Sequence, residues 1–476
     1  MKIHCVVLCL LLGACAGAQS ADIAIRDATV VDVAGGVLVP HQTVLMADNR
    51  IVAVGPADEI SIGLDTEVIE GTGAYVIPGL WDMHVHSVRS ADWHFPLLLA
   101  HGVTGVRDLN DGTGDVTLEL TNSIRRQLAD GDLPGPPRFL GSCPSVEGYP
   151  PLLGPSNPVV VRTAEEARAV VDSLVDAGAD FIKPYENLSR EAYFAIMDQA
   201  RLRGIPVDGH VPFRVTAEEA AAAGQRTAEH PEVMAAGCSA DAEGVRERFA
   251  GVLSDLDRLS ENEQFLVQFR LYRAFYETRD PVACATTVEA FLRHDVAVTM
   301  DLVAYHHVVH ADEILADTAR MRVVPQAVRR NWEEQGAGEV FREFQSVLRP
   351  NIPLELENAR LLRDAGVTLL AATDVGVPFQ VPGISLHVEL ERLVEAGLTP
   401  LEALQTASIN PVRVLGMADS LGTIDPGKLA DLVLLDANPL DNIRNTEQIR
   451  AVVADGRLFR RSDLDRLLGT AEASGR

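Results

Sequence analysis

Between residues 163 and 230 the chain alternates short apolar runs with amphipathic stretches, and this alternation narrows the fold more than any other feature. Thr163-Ala-Glu-Glu166 has the spacing in which a hydroxyl and a carboxylate satisfy the first free N–H groups of a helix. Apolar Ala167, Val170, Val171, Leu174 and Val175 then recur on one helical face. The run 181–183 reads as a strand, Ser189 opens a helix that ends near Gly204, and 205–210 reads as the next strand. A second capping box, Thr216-Ala-Glu-Glu219, opens a helix that ends near Gly224, and a strand then reaches His230. Repeated strand–helix–strand units imply an α/β fold of parallel strands joined by helical crossovers. A closed eightfold barrel and an open sheet both fit this pattern.

The two ends of the chain have a different texture. Residues 23–33, 44–46 and 51–54 are β-rich, and so are 431–436 and 449–455, which suggests one small sheet domain built from both ends. From about 236 to 350 the rhythm breaks. Two long helical stretches, near 242–278 and 311–348, flank a strand at 297–302 and read as a helical insertion, either covering a site or sitting at the periphery. Hydrophobic residues make up 47% and charged residues 23%, which is globular composition. The formal net charge of −27 repels phosphate backbones and anionic headgroups, so nucleic-acid binding and a basic membrane patch are excluded as expectations. No apolar stretch of about 18 residues lies in the body of the chain, so no transmembrane span is expected there.

Residues 1–18 read as a signal peptide: Lys2, an apolar run from Cys5 to Leu12, then Ala16-Gly-Ala18 as a cleavage site. Leu12-Gly-Ala-Cys15 also resembles a lipobox, which would make Cys15 a lipid anchor. Either way the protein is expected to be exported, as a periplasmic or secreted protein or a lipoprotein. Three of the six cysteines lie in this segment, leaving Cys143, Cys238 and Cys284. Export permits disulfides, but spacing alone does not decide whether Cys238 and Cys284 pair.

The residues that carry chemistry sit at the ends of the apolar runs. His84 and His86 close the run 80–86, two apart and so on one face of a strand. Lys183, His210, His230 and Asp374 each fall at or near the C-terminal end of a predicted strand, and in a barrel such ends meet at one mouth. Neutral imidazoles and carboxylates suit zinc or a similar dication. An ammonium beside two cations is repelled, so Lys183 must be neutral or altered. Its amine can take up CO2 to give a carbamate, an anion with two oxygens able to bridge two metals.

Val76-Ile-Pro-Gly-Leu-Trp-Asp-Met-His-Val-His86, preceded by 51–56, resembles the entry of the amidohydrolase superfamily into its first barrel strand. Gly102-Val-Thr-Gly-Val-Arg-Asp108 resembles its second strand, and 398–404 with 422–432 its return to the sheet domain. The resemblance implies a distorted (β/α)8 TIM barrel over 79–418, with the helical insertion at about 236–350, and a β-sandwich domain over 21–78 plus 419–461. It implies two divalent ions, with zinc best suited: one on His84, His86 and Asp374, the other on His210 and His230, bridged by carboxylated Lys183. A hydroxide between them would be the nucleophile, and Asp374 would also shuttle the proton to the leaving amine. Ile182-Lys-Pro-Tyr185 is similar to the lysine strand of the imidazolonepropionase-like group, which includes Xaa-Pro dipeptidase-like enzymes, and this implies that Tyr185 donates to the substrate carbonyl or oxyanion.

Several other residues draw notice. His387 in Ser385-Leu-His387 is expected to pack on a helix, and His306, His307 and His310 to lie on a solvated loop. Arg107 beside Asp108 reads as a buried pair at the barrel mouth, and Tyr149 and Tyr305 as pocket walls. The expected function is metal-dependent hydrolysis of amide or peptide-type C–N bonds in small molecules, dipeptides or N-acyl amino acids first. The same site acting on esters, lactones or phosphoesters is an alternative. A mononuclear deaminase lacks support, since His210 is followed by Val-Pro-Phe with no shuttling Glu. A non-enzymatic binding protein is the weakest reading, because all six ligand candidates are present. A homo-oligomer is compatible with the sequence.

Overall fold

The computed structural model describes residues 21–109, 116–142, 144–152 and 159–474. The targeting segment with Cys15, and Cys143, lie outside the described residues. The two chain ends build one sheet of eight strands. Ile23–Asp32, Val37–Ala47, Arg50–Pro56, Glu67–Glu70 and Tyr75–Pro78 come from the first part of the chain; Leu432–Leu435, Ile449–Ala454 and Arg457–Arg460 come from the last. The join is the antiparallel pair Tyr75–Pro78 with Leu432–Leu435, in which Val76 faces Leu434 and Ile77 faces Val433. Alternating side chains of these strands, Ile25, Val44, Val76, Leu432 and Leu434 among them, form a core on one face.

The middle of the chain supplies parallel segments that follow one another around a circuit. Leu80–Val85 pairs with Val103–Asp108, which pairs with Arg138–Gly141. Residues 181–184 lie next: the Asp180 amide donates to the Gly141 carbonyl at 3.2 Å, and Ile182 bridges Val207. Asp208–Gly209, Thr227–Ala228, Ala297–Thr299 and Leu369–Leu370 continue in parallel order. The circuit returns to its start where Val375 bridges Val85 and the Asp374 amide donates to the His84 carbonyl at 2.9 Å.

The helices between these segments form where their caps sit. Thr216 and Glu219 make both hydrogen bonds of a capping box. At the other expected box only half is made: the Thr163 hydroxyl accepts from the Glu166 amide, while the Glu166 carboxylate turns to the Arg162 amide. Ala164–Asp176 buries Ala167, Val171 and Leu174 against Arg190–Arg203, as the spacing of its apolar residues requires. No helix among the described residues is long and apolar enough to cross a membrane.

The interruption at 236–350 proves to be two excursions, because Ala297–Thr299 belongs to the circuit and Pro281–His294 is the crossover that leads to it. The first excursion follows Thr227–Ala228 and the second follows Ala297–Thr299. Neither is built of one long helix. Ser260 and Glu263 form a capping box that starts Glu261–Tyr276 afresh after Ala242–Ser254. Pro325 and Gly338 mark the starts of Gln326–Gly336 and Glu339–Leu348 in the second. The excursions pack on each other through apolar side chains, with the Phe269 and Phe344 rings 4.3 Å apart. Cys238 and Cys284 form a disulfide that ties the first excursion to its crossover helix.

Arg138 locks the circuit to the sheet, reaching Asp431 at 2.8 Å and Asp455 at 2.7 Å. The Asp431 side chain is 2% exposed, so losing its cation leaves a buried charge. Arg138→Met is expected to lower stability by about 3 kcal/mol in guanidinium denaturation followed by circular dichroism. Adding Asp431→Asn should recover part of that loss.

Candidate metal centre

His84 is fully buried at the end of Leu80–Val85, and His86 follows it. The His84 Nδ1 faces Glu229 Oε2 at 3.1 Å, which assigns it the proton and leaves Nε2 as a lone-pair donor. That Nε2 has no hydrogen-bond partner and lies 3.6 Å from Asp374 Oδ1, while His86 Nε2 lies 2.8 Å from the same oxygen. The three residues place their donor atoms within 4.8 Å of one another. Gly376, at φ +121°, lets the Asp374 loop approach closely: a Cβ there would meet the His86 Cβ at 2.4 Å.

A second group of the same kind joins His84, His230 and Asp301. His230 Nδ1 and Asp301 Oδ2 are 2.6 Å apart but not aligned as a hydrogen bond, so both buried atoms remain without one. The His210 ring lies 4.7 Å from that of His230, and its Nδ1 is held by Glu186 Oε1 at 2.8 Å. His230, Asp301 and Asp374 all have left-handed backbones, with φ of 66°, 44° and 56°. Such conformations cost on the order of 1–3 kcal/mol each and persist where the surroundings over-determine them. Here they turn three side chains inward at three successive segment ends.

Beneath these donors lies a buried polar layer. Glu229 accepts from Arg107 Nη2 at 2.8 Å, from Thr299 Oγ1 at 2.7 Å and from the Thr227 hydroxyl. Arg107 also meets Asp208 at 3.1 Å and donates from Nε to the Met83 carbonyl. The expected Arg107–Asp108 pair is replaced by these cross-circuit contacts, because adjacent residues of a strand face opposite sides. Asp108 instead accepts from the amides of Ser87 and Val88.

Burial, followed by the neighbouring His230, holds His84 and His210 well below the ordinary imidazole range, which keeps them neutral as ligands must be. Burial would also lower His230, but Asp301 overrides it and pushes the ring up to about 10, so a metal ion has to displace a ring proton to use His230. Burial would raise Asp374, and the imidazoles of His86 and His84 hold it ionised instead. Lys183 is buried and brought down to about 8 by that burial, against the pull of Asp374 and Glu229. Its Nζ lies 5.6 Å from the centre of the Tyr185 ring, and that ring is 4.5 Å from His210. Burial and then Glu186 push the Tyr185 hydroxyl far up, so it stays protonated as a donor.

His84, His86, His230 and Asp374 thus converge directly, His210 joins through His230, and Lys183 and Tyr185 stand alongside. Sequence reading missed Asp301, Glu229 and Glu186. Asp301 carried the same signal as Asp374, a carboxylate closing an apolar run at 297–301. His306, His307 and His310 do not form a solvated loop. The first two lie on the helix Leu302–Val309, with His307 buried against Gln380 and His310 bonded to the His306 carbonyl. His387 packs on Ile384–Glu395 and bonds Thr446 and the His101 carbonyl. Tyr149 is half exposed and bonds Asp257, while the buried Tyr305 hydroxyl bonds Glu232.

Residues 75–459 match the family model described as "Amidohydrolase family". An imidazolonepropionase of Symbiobacterium thermophilum is 25% identical over 418 residues, 84% of each chain. A putative prolidase from Bifidobacterium longum superposes with a TM-score of 0.65 at 26% identity, over 94% of this chain and 98% of that one. A Xaa-Pro dipeptidase with bound methionine superposes with a TM-score of 0.68 at 20% identity, over 92% and 99%. The fold and the histidine–carboxylate centre define a hydrolase of carbon–nitrogen bonds. The chain belongs to the amidohydrolase family, whose members generally bind metal ions, and the donor set of imidazole nitrogens and carboxylates fits such ions.

Glu229 fixes the tautomer and ring orientation of His84. Glu229→Gln is expected to weaken divalent-metal affinity roughly 10–100-fold in chelator competition while the protein stays folded.

Proposed function

We propose that this protein is an exported, metal-dependent hydrolase of amide or peptide-type C–N bonds in small molecules, with dipeptides and N-acyl amino acids as the leading substrates. The convergence of His84 Nε2 and His86 Nε2 on Asp374 at the ends of parallel segments carries this reading. The cyclic order of those segments supports a distorted (β/α)8 barrel over 79–418, with the sheet of the chain ends as its β-sandwich-type companion over 21–78 plus 419–461. The Cys238–Cys284 disulfide accords with an oxidising compartment, whether periplasmic or outside the cell.

Two zinc-type ions would be held by His84, His86 and Asp374, and by His210 and His230, with Asp301 beside the latter. Bound there, they supply an activated water and polarise the scissile carbonyl. Lys183 is suited to carboxylation: burial favours its neutral amine, which can add to CO2 with loss of a proton, and the resulting carbamate would be an anionic donor for such ions. Asp374, held ionised among imidazoles, takes the proton of the attacking water and passes it to the leaving nitrogen. Tyr185 keeps its proton and donates to the oxygen on which charge develops.

Elemental analysis of protein purified with bicarbonate and without chelator is expected to find about two divalent ions per chain, and about one in Lys183→Ala. A single ion in the wild type, unchanged by added zinc and bicarbonate, would overturn the bridged centre. Asp374→Asn is expected to cost on the order of 10²–10⁴ in kcat with a near-normal melting temperature. Near-normal turnover would remove its role in proton transfer.

A further inference from the structure

A cavity of about 680 Å³ opens beside Asp374, between the two excursions and the loop that follows Leu369–Leu370. Phe265 and Phe269 of Glu261–Tyr276 form one wall, and Phe344 of Glu339–Leu348 joins them at 4.7 and 4.3 Å between ring centres. Phe341 continues that wall to Phe379, 5.1 Å away and five residues beyond Asp374. Phe379 has a left-handed backbone, φ 71°, a strained state for a bulky residue, and the buried ring it places there lines the same cavity. Tyr305 contributes only its ring, since its hydroxyl is taken by Glu232. The aromatic wall therefore runs without a break from the excursions to the loop that carries Asp374.

The charges are as one-sided as the wall. Glu334 and Glu339 stand exposed at the rim and Asp374 at the base, and the described residues that line the cavity include no Lys, Arg or His. A carboxylate placed here would lose its water and face three acids, with the amides of Asn262 and Gln335 but no cationic side chain among the described lining residues. An apolar group would displace water from aromatic surface, worth a factor of ten or more in affinity when a ring-sized group is buried.

We propose that this cavity receives an uncharged, bulky apolar group attached to the scissile amide, so that the preferred substrates are amides bearing an aromatic or branched aliphatic substituent there. The proposal rests on the hydrolytic reading above and names the substrate class for it. The site then discriminates by size and charge: small acyl or side-chain groups leave the aromatic wall uncovered, and anionic ones are rejected by it.

The test uses the mature protein loaded with zinc and bicarbonate and four amides: N-acetylglycine, N-benzoylglycine, N-acetylphenylalanine and the para-carboxylated form of the benzoyl compound. At least one of the two phenyl compounds is expected to exceed N-acetylglycine in kcat/KM by tenfold or more. The para-carboxylate should lose any advantage of the benzoyl group, and Ala304→Trp, which fills the cavity from Leu302–Val309, should cut the phenyl-to-acetyl ratio at least tenfold. If that variant melts early, Val340→Trp on the more open side serves instead. Hydrolysis of all the amides with equal efficiency would overturn the cavity assignment and leave the hydrolytic reading standing. If none is hydrolysed, N-acyl amino acids are removed as substrates, and equilibrium binding by calorimetry decides the cavity. Tighter binding of a phenyl compound that is lost in the filled variant sustains it, and equal affinities or no binding overturn it.

Discussion

The buried contact between Arg107 and Glu229 is the interaction on which the centre depends. Both side chains are fully buried, and the two belong to segments on opposite parts of the circuit. A carboxylate in such a place is tolerable only with a cation and hydrogen bonds on it. Arg107 supplies the cation, and Thr227 and Thr299 supply hydroxyls. Thus satisfied, Glu229 holds His84 in one orientation, with one nitrogen toward the protein and the other toward Asp374. The guanidinium also grips Asp208 and the Met83 carbonyl, so a single side chain ties together four of the parallel segments.

Above this layer the chain bends out of its comfortable conformations to present candidate metal donors. His230, Asp301 and Asp374 occupy left-handed backbone at the segment ends. A chain of this size, with a continuous apolar core that runs from the circuit to its surrounding helices, can hold such strain because every alternative would open packed surface. The excursions add a second core of their own, tied down by the Cys238–Cys284 disulfide and joined to the loop after Asp374 by aromatic contacts. Chemistry and selectivity thereby come from different parts of the molecule: the segment ends carry the donors, and the excursions carry the wall that a substrate meets.

Local signals in the sequence determined a good deal. Capping residues and apolar periodicity marked Ala164–Asp176, Arg190–Arg203 and Ala217–Ala223, because a helix start is set by residues three apart. The β-rich ends announced a shared sheet. His84, His86, His210, His230 and Asp374 stood out because each closes an apolar run, and a parallel strand that ends in a polar residue offers it to the common mouth. The same rule, applied to 297–301, would have found Asp301.

What only the tertiary structure decided are the contacts between distant segments. Arg107 and Glu229 are 122 residues apart, and His84 and Glu229 are 145 apart. No periodicity encodes such pairs, so Arg107 read as a partner of its neighbour Asp108, although the pleat of a strand turns the two away from each other. The excursion read as one insertion because the apolar run at 297–302 marks a strand but not its partners, and only the ladders to Thr227–Ala228 and Leu369–Leu370 place Ala297–Thr299 in the circuit. The aromatic wall was invisible for the same reason. Phe265, Phe269, Phe341, Phe344 and Phe379 sit on three separate elements, and only the fold brings their rings together beside Asp374.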